Sequence, residues 1–245
     1  MLFSEEWLRS VVNPDLTSDE LAEAMTMAGL EVEDCSAIAP AFEDVVVAEV
    51  VDCVDHENSD HLHVCKVNVG APELLQIVCG APNVKTGVKV PCALIGAVLP
   101  GNFKIKKAKM RGVESFGMLC SSRELGINED HQGLWILPAD APVGMDIREY
   151  AKLDDKRFEI KLTPNRGDAL SIIGVARDVH AITGAPLNMP KFDAVEPTCE
   201  CVKPVHIEAP DLCGRFTGRV IKGLNAKAPT PQWMKDRLER SGQRS

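Results

Sequence analysis

The sequence has few aromatic side chains and no long apolar run. Phenylalanine, tryptophan and tyrosine make up 4% of its 245 residues, which argues against a protein that binds single-stranded nucleic acid mainly by stacking bases on rings. No apolar stretch is long enough to cross a bilayer. The acidic N-terminus MLFSEEWLRSVV is typical of neither a signal nor a transit peptide. We therefore expect a cytoplasmic protein.

The cysteines lack the spacing of a disulfide framework. The sequence contains nine of them, an odd number, scattered along a chain that has no secretion signal. Such cysteines are expected to be reduced thiols, many of them buried as small apolar side chains.

One stretch, VDCVDHENSDHLHVCKVNVG (51–70), is nevertheless rich in groups that bind metals. Its candidate ligands are Cys53, His56, His61, His63 and Cys65. Side chains at alternate positions of a strand project to one side, so three of these ligands could share a metal. However, the sequence has no Cys-x-x-Cys pair and no His-x₃-His pair, the spacings typical of zinc sites. A bulge expected near Cys65–Lys66 would also disturb the array. A polar loop is favoured over the zinc alternative, and no zinc is expected.

The net charge of −9 is distributed unevenly. Residues 1–40 carry nine acidic residues and one basic residue, whereas residues 151–245 carry twelve acidic and sixteen basic residues. The whole chain is therefore not a general polyanion binder, and any contact with nucleic acid must be local.

Two short helices are predicted before residue 30. Ser4 can cap the first, and Thr17 with Glu20 forms a capping box for the second, which ends at Gly29. Two helices around a turn also raise the alternative of a DNA-reading helix-turn-helix. Because phosphate would repel so acidic a unit, a helical scaffold is favoured and no DNA partner is expected.

Short strands are predicted between Asp44 and Pro138. The runs VVVAEVVDC, LHVCKVNVG, LLQIVCG and VKVPCALIGAVL are rich in β-branched residues and separated by Gly, Pro and Asn. A helical piece, CSSRELGI, and a further strand, GLWILP, are expected after them. About five strands without long intervening helices indicate a small barrel, for which the oligonucleotide-binding (OB) fold is the natural candidate.

A strand and a helix are predicted after residue 156. The run RFEIKLT (157–163) alternates apolar and polar residues, as a strand does. Asn165 or Asp168 can cap the helix that follows, and Gly184 ends it. The motif TPNRGD could suggest an active site, but the structural interpretation is favoured. In it, Asp168 caps the helix and Arg166 pairs across a domain junction.

The remainder predicts a third unit that begins but is not closed. A proline-containing connector leads to the strand pattern VHIEAP…GRFTGRVIKGL and to an amphipathic helix in TPQWMKDRLERSGQRS. We therefore expect the chain to be the front part of a longer protein.

The basic residues of the middle region are concentrated in one short run, NFKIKKAKMRGVESFG. Five cations fall within eight residues: Lys104, Lys106, Lys107, Lys109 and Arg111. Sites that follow a nucleic-acid backbone need such a patch, and Phe103 and Phe116 flank it as possible stacking surfaces. The alternative is a solvated edge strand, on which lysine deters aggregation. The predicted barrel favours RNA.

Seven segments stand out together: MAGLEVE, NSDHLHVCKVNVG, IVCGAPNV, IGAVLPGNFKIKKAKMRGVESFGMLCS, LPADAPVG, TPNRGDALSIIGVARDV and KAPTPQWMK. In order and at matching spacing, they resemble the bacterial phenylalanyl-tRNA synthetase β subunit across essentially the whole chain. Subunits of that family are much longer, so the resemblance is to an N-terminal fragment.

The resemblance implies an α+β multidomain fold, with an OB-fold β-barrel inserted into a discontinuous α/β scaffold domain. The implied scaffold comprises residues 1–39 and 151–190, and the tRNA-binding-like barrel comprises residues 40–150. A linker at 191–203 then leads to the truncated start of an editing domain (B3/B4 type) at 204–245.

The resemblance also implies an enzyme, phenylalanine–tRNA ligase, that joins phenylalanine to tRNA(Phe) with ATP and Mg²⁺. In this family the α subunit holds the aminoacylation site, and an α2β2 heterotetramer is the working enzyme. A pocket shaped for phenylalanine cannot strongly reject tyrosine, so a second, editing site is needed, and its pocket would lie beyond Ser245. The fragment alone would hold no catalytic residue and no ATP or Mg²⁺ site, and would have no membrane partner.

The expected RNA-binding residues are the five cations, together with auxiliary or loop-shaping residues. The auxiliary residues are Asn58, Asp60, Asn83 and Ser115. The family's loop usually reads His-Pro-Asn-Ala-Asp-Lys-Leu, whereas HENSDHLH here places histidines at usually basic positions. Histidine is mostly neutral at pH 7, which weakens the expected contact of this loop with tRNA. The alternative function is a free-standing OB-fold RNA-binding or chaperone-like protein without enzymatic activity.

Overall fold

The structure is a computed structural model that describes residues 1–129 and 132–244. Its helices are α1 (Glu5–Val11), α2 (Ser18–Met27), α3 (Ile147–Tyr150), α4 (Ile172–Thr183) and α5 (Gln232–Arg240). Its strands are β1 (Leu2–Ser4), β2 (Glu31–Ala37), β3 (Glu43–Asp55), β4 (His63–Asn68), β5 (Leu75–Cys79), β6 (Lys89–Leu99), β7 (Phe103–Lys104), β8 (Ala108–Met110), β9 (Val113–Ser115), β10 (Gly117–Leu119) and β11 (Lys156–Lys161). The mixture of helices with antiparallel sheets confirms the predicted combination of α and β structure at this coarse level.

The two predicted N-terminal helices are confirmed, with the caps that the sequence indicates. The Ser4 hydroxyl accepts a hydrogen bond from the Trp7 amide at 3.1 Å and begins α1. In α2, the Thr17 amide donates to the Glu20 carboxylate at 2.8 Å, while the Glu20 amide donates to the Thr17 hydroxyl at 3.3 Å. These bonds satisfy amides that the first helical turn leaves without partners.

A three-stranded antiparallel sheet, in the order β1-β11-β2, joins the first residues to those after 155. Phe3 on β1 lies opposite Phe158 on β11, and their ring centroids are 5.6 Å apart. Helices α1, α2 and α4 contribute buried residues to the same core, among them Leu8, Met25 and Val175. The predicted strand at 157–163 is therefore confirmed as β11, with Phe158 and Ile160 buried.

The larger sheet contains the four long predicted strands. Its order is β10-β6-β3-β4-β5, with β7 paired to β6, and every pair is antiparallel. The register between β3 and β4 shifts at Val51, because Val50 pairs with Val67 but Asp52 pairs with Lys66. The bulge was expected on β4 near Cys65–Lys66, but it lies on the partner strand β3, at Val51. Cys65 and Val67 stay on one buried face.

The larger sheet curls until its two ends meet. The Phe116 amide donates to Gln76 O at 2.9 Å, next to β10, and the Val78 amide of β5 donates to the Ser115 hydroxyl at 3.1 Å. Gly117 has no space for a Cβ, which would lie 2.8 Å from the Ala93 carbonyl oxygen on β6 and 3.2 Å from Ile77 Cδ1 on β5. The curled sheet encloses apolar residues on its inner side, including Ile77, which is fully buried.

Two short elements predicted near the end of the sheet are not formed. CSSRELGI (120–127) forms turns instead of a helix, and GLWILP (133–138) makes a single bridge, from Leu137 to Lys89. The side chain of Asn83 takes the place of a strand partner. It accepts from the Leu134 amide at 2.8 Å and donates to the Leu134 carbonyl at 2.9 Å.

The segment 191–230 contains no helix or strand among its residues, all of which are described. The strand pattern expected from Val205 onward is therefore wrong for this structure, because a strand requires a hydrogen-bonding partner. The predicted amphipathic helix is confirmed as α5. Arg240 on α5 bonds to the Asp155 carboxylate at 3.1 Å, and the Arg237 guanidinium lies 5.2 Å from the Trp7 ring. Among the described residues, no helix has the length and apolar character needed to span a bilayer.

Candidate nucleic-acid interface

The five predicted cations are all exposed and lie between β7, at the edge of the curled sheet, and the separate β8–β9 hairpin. We call Lys104, Lys106, Lys107, Lys109 and Arg111 the cationic ribbon; all five residues are exposed. The ribbon begins at β7 and ends at the tip of the β8–β9 hairpin. It therefore concentrates positive charge on a chain whose net charge is −9.

Ile105 fixes the middle of the ribbon to the sheet. Its side chain is buried, its amide donates to Ala97 O at 2.8 Å, and its carbonyl accepts from the Gly96 amide at 2.9 Å. Because neighbouring residues of an extended chain point to opposite sides, burying Ile105 turns Lys104 and Lys106 outward. The apolar residue within the basic run is thus its anchor.

The hairpin presents the other end of the ribbon. Strands β8 and β9 pair Lys109 with Glu114, and the turn between them consists of Arg111 and Gly112 with φ angles of 45° and 94°. Positive φ at both residues is characteristic of the tight turns whose twist suits a β-hairpin. Arg111 therefore stands at the tip, where glycine, asparagine or aspartate is more usual.

Lys107 differs from the other members of the ribbon. Its ammonium group lies 2.8 Å from the Glu114 carboxylate and 4.8 Å from the centre of the Phe116 ring. Of the five cations, it alone forms an ion pair among the described residues. Phe116 is half-buried beneath it, whereas Phe103 is 57% exposed. Phe103 is consequently the better placed of the two predicted stacking surfaces.

The four auxiliary residues fall into two groups. Asn58 and Asp60 are exposed in the loop between β3 and β4. Ser115 is buried, accepts from the Val78 amide at 3.1 Å and donates to Gly117 O at 3.1 Å. Asn83 uses its amide on the backbone of Leu134. The last two residues thus hold the sheet and a loop together, and their polar groups are used inside the protein.

The histidines and cysteines of residues 51–70 do not converge. Among the described residues, no group of three His, Cys, Asp or Glu side chains could hold a metal ion. His63 Nδ1 pairs with the Asp55 carboxylate at 3.1 Å, and the Cys65 and Cys53 sulfurs lie 3.7 Å apart. Burial and the neighbouring Cys53 raise the pKa of the Cys65 thiol well above its ordinary value. Cys65 is therefore an inert, protonated core residue at neutral pH.

The contacts of the TPNRGD motif differ from those predicted. Ser171 caps α4 by accepting from the Gly174 amide at 3.0 Å, so neither Asn165 nor Asp168 is the cap. Arg166 pairs with Asp168 at 3.1 Å and also with Asp178 of α4, not across a domain junction. The Arg166 guanidinium lowers the pKa of the Asp168 carboxyl. The missed cap had a signal, since Ser171 directly precedes the apolar run Ile172–Ile173.

His56 has a role that the sequence did not indicate. It is 3% exposed, and its ring contacts both the backbone of its own loop and the hairpin that carries Arg111. Histidine before a polar loop has many interpretations, and the hairpin partner is distant in sequence. The sequence offered no signal for this contact.

Comparison with known proteins identifies related chains. Residues 45–146, which include most of the curled sheet and the whole ribbon, match the family described as "Putative tRNA binding domain". The phenylalanine–tRNA ligase beta subunit of Chromobacterium violaceum is 62% identical over all 245 residues, and that of Cupriavidus pinatubonensis is 59% identical over the whole chain. In both cases the chain spans 31% of the relative's length.

Solved structures with similarity to this chain include the following example. It is a MetRS-related protein from Pyrococcus horikoshii, 25% identical, with 42% of this chain and 87% of that chain covered. The TM-score is 0.32.

Proposed function

Because the chain belongs, over its whole length, to the family of phenylalanine–tRNA ligase β subunits, we propose that it contributes an RNA-binding module and a structural scaffold to an enzyme that attaches phenylalanine to its tRNA. The exposed cationic ribbon on the curled sheet is the observation that carries this proposal. Phosphate backbones are bound through such local concentrations of lysine and arginine.

In this proposal, the curled sheet is an OB-type barrel spanning residues 40–150. The hydrogen bonds that join residues 115 and 116 to β5 support barrel closure. Residues 1–39 and 151–190 form one scaffold domain, supported by the core that β1, β2, β11 and α4 share. Residues 191–203 are a linker, and 204–245 begin an editing domain of the B3/B4 type.

The catalytic steps are assigned to other parts of the enzyme. ATP and Mg²⁺ act at the α subunit, with which the β subunit forms an α2β2 heterotetramer in the cytoplasm, and no residue of this chain is catalytic. Within the chain, Asn58 and Asp60 are auxiliary contacts to RNA, while Asn83 and Ser115 shape the surface. The alternative of a free-standing RNA-binding or chaperone-like protein is disfavoured by the match to β subunits over all 245 residues.

The proposal is tested by measuring tRNA binding with and without the ribbon. A variant with alanine at all five ribbon positions is compared with a variant that loses five exposed cations elsewhere. The control positions are Arg177, Lys191, Lys203, Lys222 and Lys227. Both variants change the net charge equally, so fluorescence anisotropy with tRNA(Phe) separates local contact from overall charge.

We expect the ribbon variant to lose most of its tRNA affinity and its salt dependence. For the unmutated chain, the slope of log affinity against log salt concentration is about −3.5 if all five cations contact the phosphates of a single strand. Equal losses in the two variants would contradict a local site. Aminoacylation or editing turnover by this chain alone would contradict the assignment of catalysis to other parts of the enzyme.

A further inference from the structure

We propose that His56 is a positioning residue that joins the loop 56–62 to the β8–β9 hairpin, so that loop and ribbon form one RNA-facing surface. This inference rests on the proposed function, which assigns the ribbon to RNA. It concerns a residue that the comparisons leave without a role. It also accounts for a histidine that the metal interpretation of residues 51–70 leaves unexplained.

The loop 56–62 is closed by its own backbone. It connects the end of β3 at Asp55 to the start of β4 at His63. The His56 amide donates to Leu62 O at 2.9 Å, and the Ser59 amide donates to His56 O at 3.1 Å. His56 therefore lies at the base of a compact loop, with its side chain directed away from solvent.

The hydrogen-bond partners of the His56 ring define which of its nitrogens carries the hydrogen. Nδ1 lies 3.0 Å from the Asn58 amide nitrogen, which can only donate, so Nδ1 is the acceptor. Nε2 lies 3.2 Å from the carbonyl oxygen of Met110, which can only accept, so Nε2 carries the hydrogen. The neutral ring thus links a loop amide to a hairpin carbonyl, and both nitrogens are occupied. Such a ring cannot also bind a metal.

A second bond runs between the same two segments in the opposite direction. The Arg111 guanidinium donates to Asn58 O at 3.3 Å. Arg111 also has a φ of 45°, an uncommon conformation for a residue with a side chain. The partly buried bond from His56 to Met110, the residue before Arg111, stabilises the tip in this conformation. Consequently, the last cation of the ribbon stands beside the exposed Asn58 of the loop.

Two substitutions of His56 separate its two bonds. In His56→Asn, the amide oxygen can replace Nδ1 as the acceptor for Asn58, but the side chain is too short to reach Met110. In His56→Gln, the amide nitrogen can replace Nε2 as the donor to Met110, but the Asn58 amide loses its acceptor. His63→Asn is the matched control, because His63 pairs with Asp55 on the neighbouring strand.

Hydrogen exchange across residues 108–115 and tRNA affinity are measured for each variant of the full chain. We expect His56→Asn to speed exchange in the hairpin and to weaken tRNA binding by about three- to tenfold, the effect of one lost hydrogen bond. His56→Gln should stay within about twofold of the parent in both measurements, as a conservative rescue. His63→Asn should leave exchange in the hairpin unchanged.

The outcomes separate this inference from the proposed function. Unchanged hairpin exchange in His56→Asn overturns the positioning role, whatever happens to tRNA affinity. Faster exchange with unchanged tRNA affinity supports the link and instead contradicts the role of the hairpin in RNA binding. If His56→Asn fails to fold, the ¹⁵N chemical shifts of the ring in the unmutated chain decide. Hydrogen on Nε2 supports the link, and hydrogen on Nδ1 overturns it.

Discussion

The curled sheet (residues 43–119) and the segment 191–230 differ in the burial of their apolar side chains. Val47 and Ile77 in the sheet are fully buried, whereas Phe192 and Leu212 in the segment are each 86% exposed. Each strand of the sheet has a hydrogen-bonded neighbour, while the segment has no strand among its described residues. In these two regions, apolar side chains are buried where the backbone is paired in a sheet and exposed where it is not.

The largest difference between the two regions is expected for loss of an apolar side chain. Ile77→Ala removes a fully buried side chain and should lower the free energy of unfolding by about 2–5 kcal/mol, since both transfer energy and packing are lost. Ile221→Ala removes a side chain that is 72% exposed and should change it by less than about 0.5 kcal/mol. Urea unfolding of the two variants measures both values. Similar losses would show that the segment is packed in solution.

A smaller difference is expected for a lost hydroxyl. Ser115→Ala leaves the buried Val78 amide without its acceptor and should cost about 1–3 kcal/mol, because an unpaired buried donor is penalised. Thr217→Ala, at an exposed position of the segment, is the control and should have little effect. Faster hydrogen exchange at Val78 should accompany the loss. A neutral Ser115→Ala would contradict the role of this bond in closing the sheet.

The smallest effect is a dependence of stability on alkaline pH. Burial raises the pKa of Cys92 from 9.0 to about 12. A raised pKa in the folded state means that the unfolded thiol ionises first, so stability is retained below about pH 9 and lost as pH rises toward 12. Between about pH 8 and pH 9.5, this thiol should cost about 1 kcal/mol.

A pair of cysteine variants isolates that contribution. Cys92→Ala should reduce the alkaline loss of unfolding free energy, whereas Cys199→Ala, in the exposed segment, should leave it unchanged. Urea unfolding of both variants at about pH 8 and about pH 9.5 gives the four free energies of unfolding that the comparison requires. An identical alkaline loss in the two variants would show that Cys92 ionises equally easily in the folded and unfolded states.

Local signals in the sequence predicted the helices and strands whose formation depends on residues close together in the chain. The capping box of Thr17 and Glu20, the strand over 157–163 and the four long strands of the sheet all follow from spacing within a few residues. The exposure of the ribbon also agrees with its charge, because unpaired lysine is costly to bury. Its role in RNA binding stays a prediction.

The features that were missed depend on residues distant in sequence. GLWILP has a strand-like composition, yet its backbone bonds to the side chain of Asn83, about fifty residues earlier. The bulge occurs at Val51 instead of Cys65 because either strand of a pair can accommodate the extra residue. His56 contacts a carbonyl 54 positions away. No periodicity within the loop could have indicated these contacts.

Burying Ile105 within the ribbon also bears on the selectivity expected of the proposed RNA-binding surface. Lys104 and Lys106 are attached to either side of a residue that is hydrogen-bonded to β6, so their backbone positions move with the sheet. A disordered lysine tail of the same charge would adapt to any polyanion. Lysines whose backbone is fixed to the sheet instead favour polymers whose negative groups repeat at the distance between Lys104 and Lys106. Folded RNA should therefore compete for this surface better than an equally charged flexible polyphosphate.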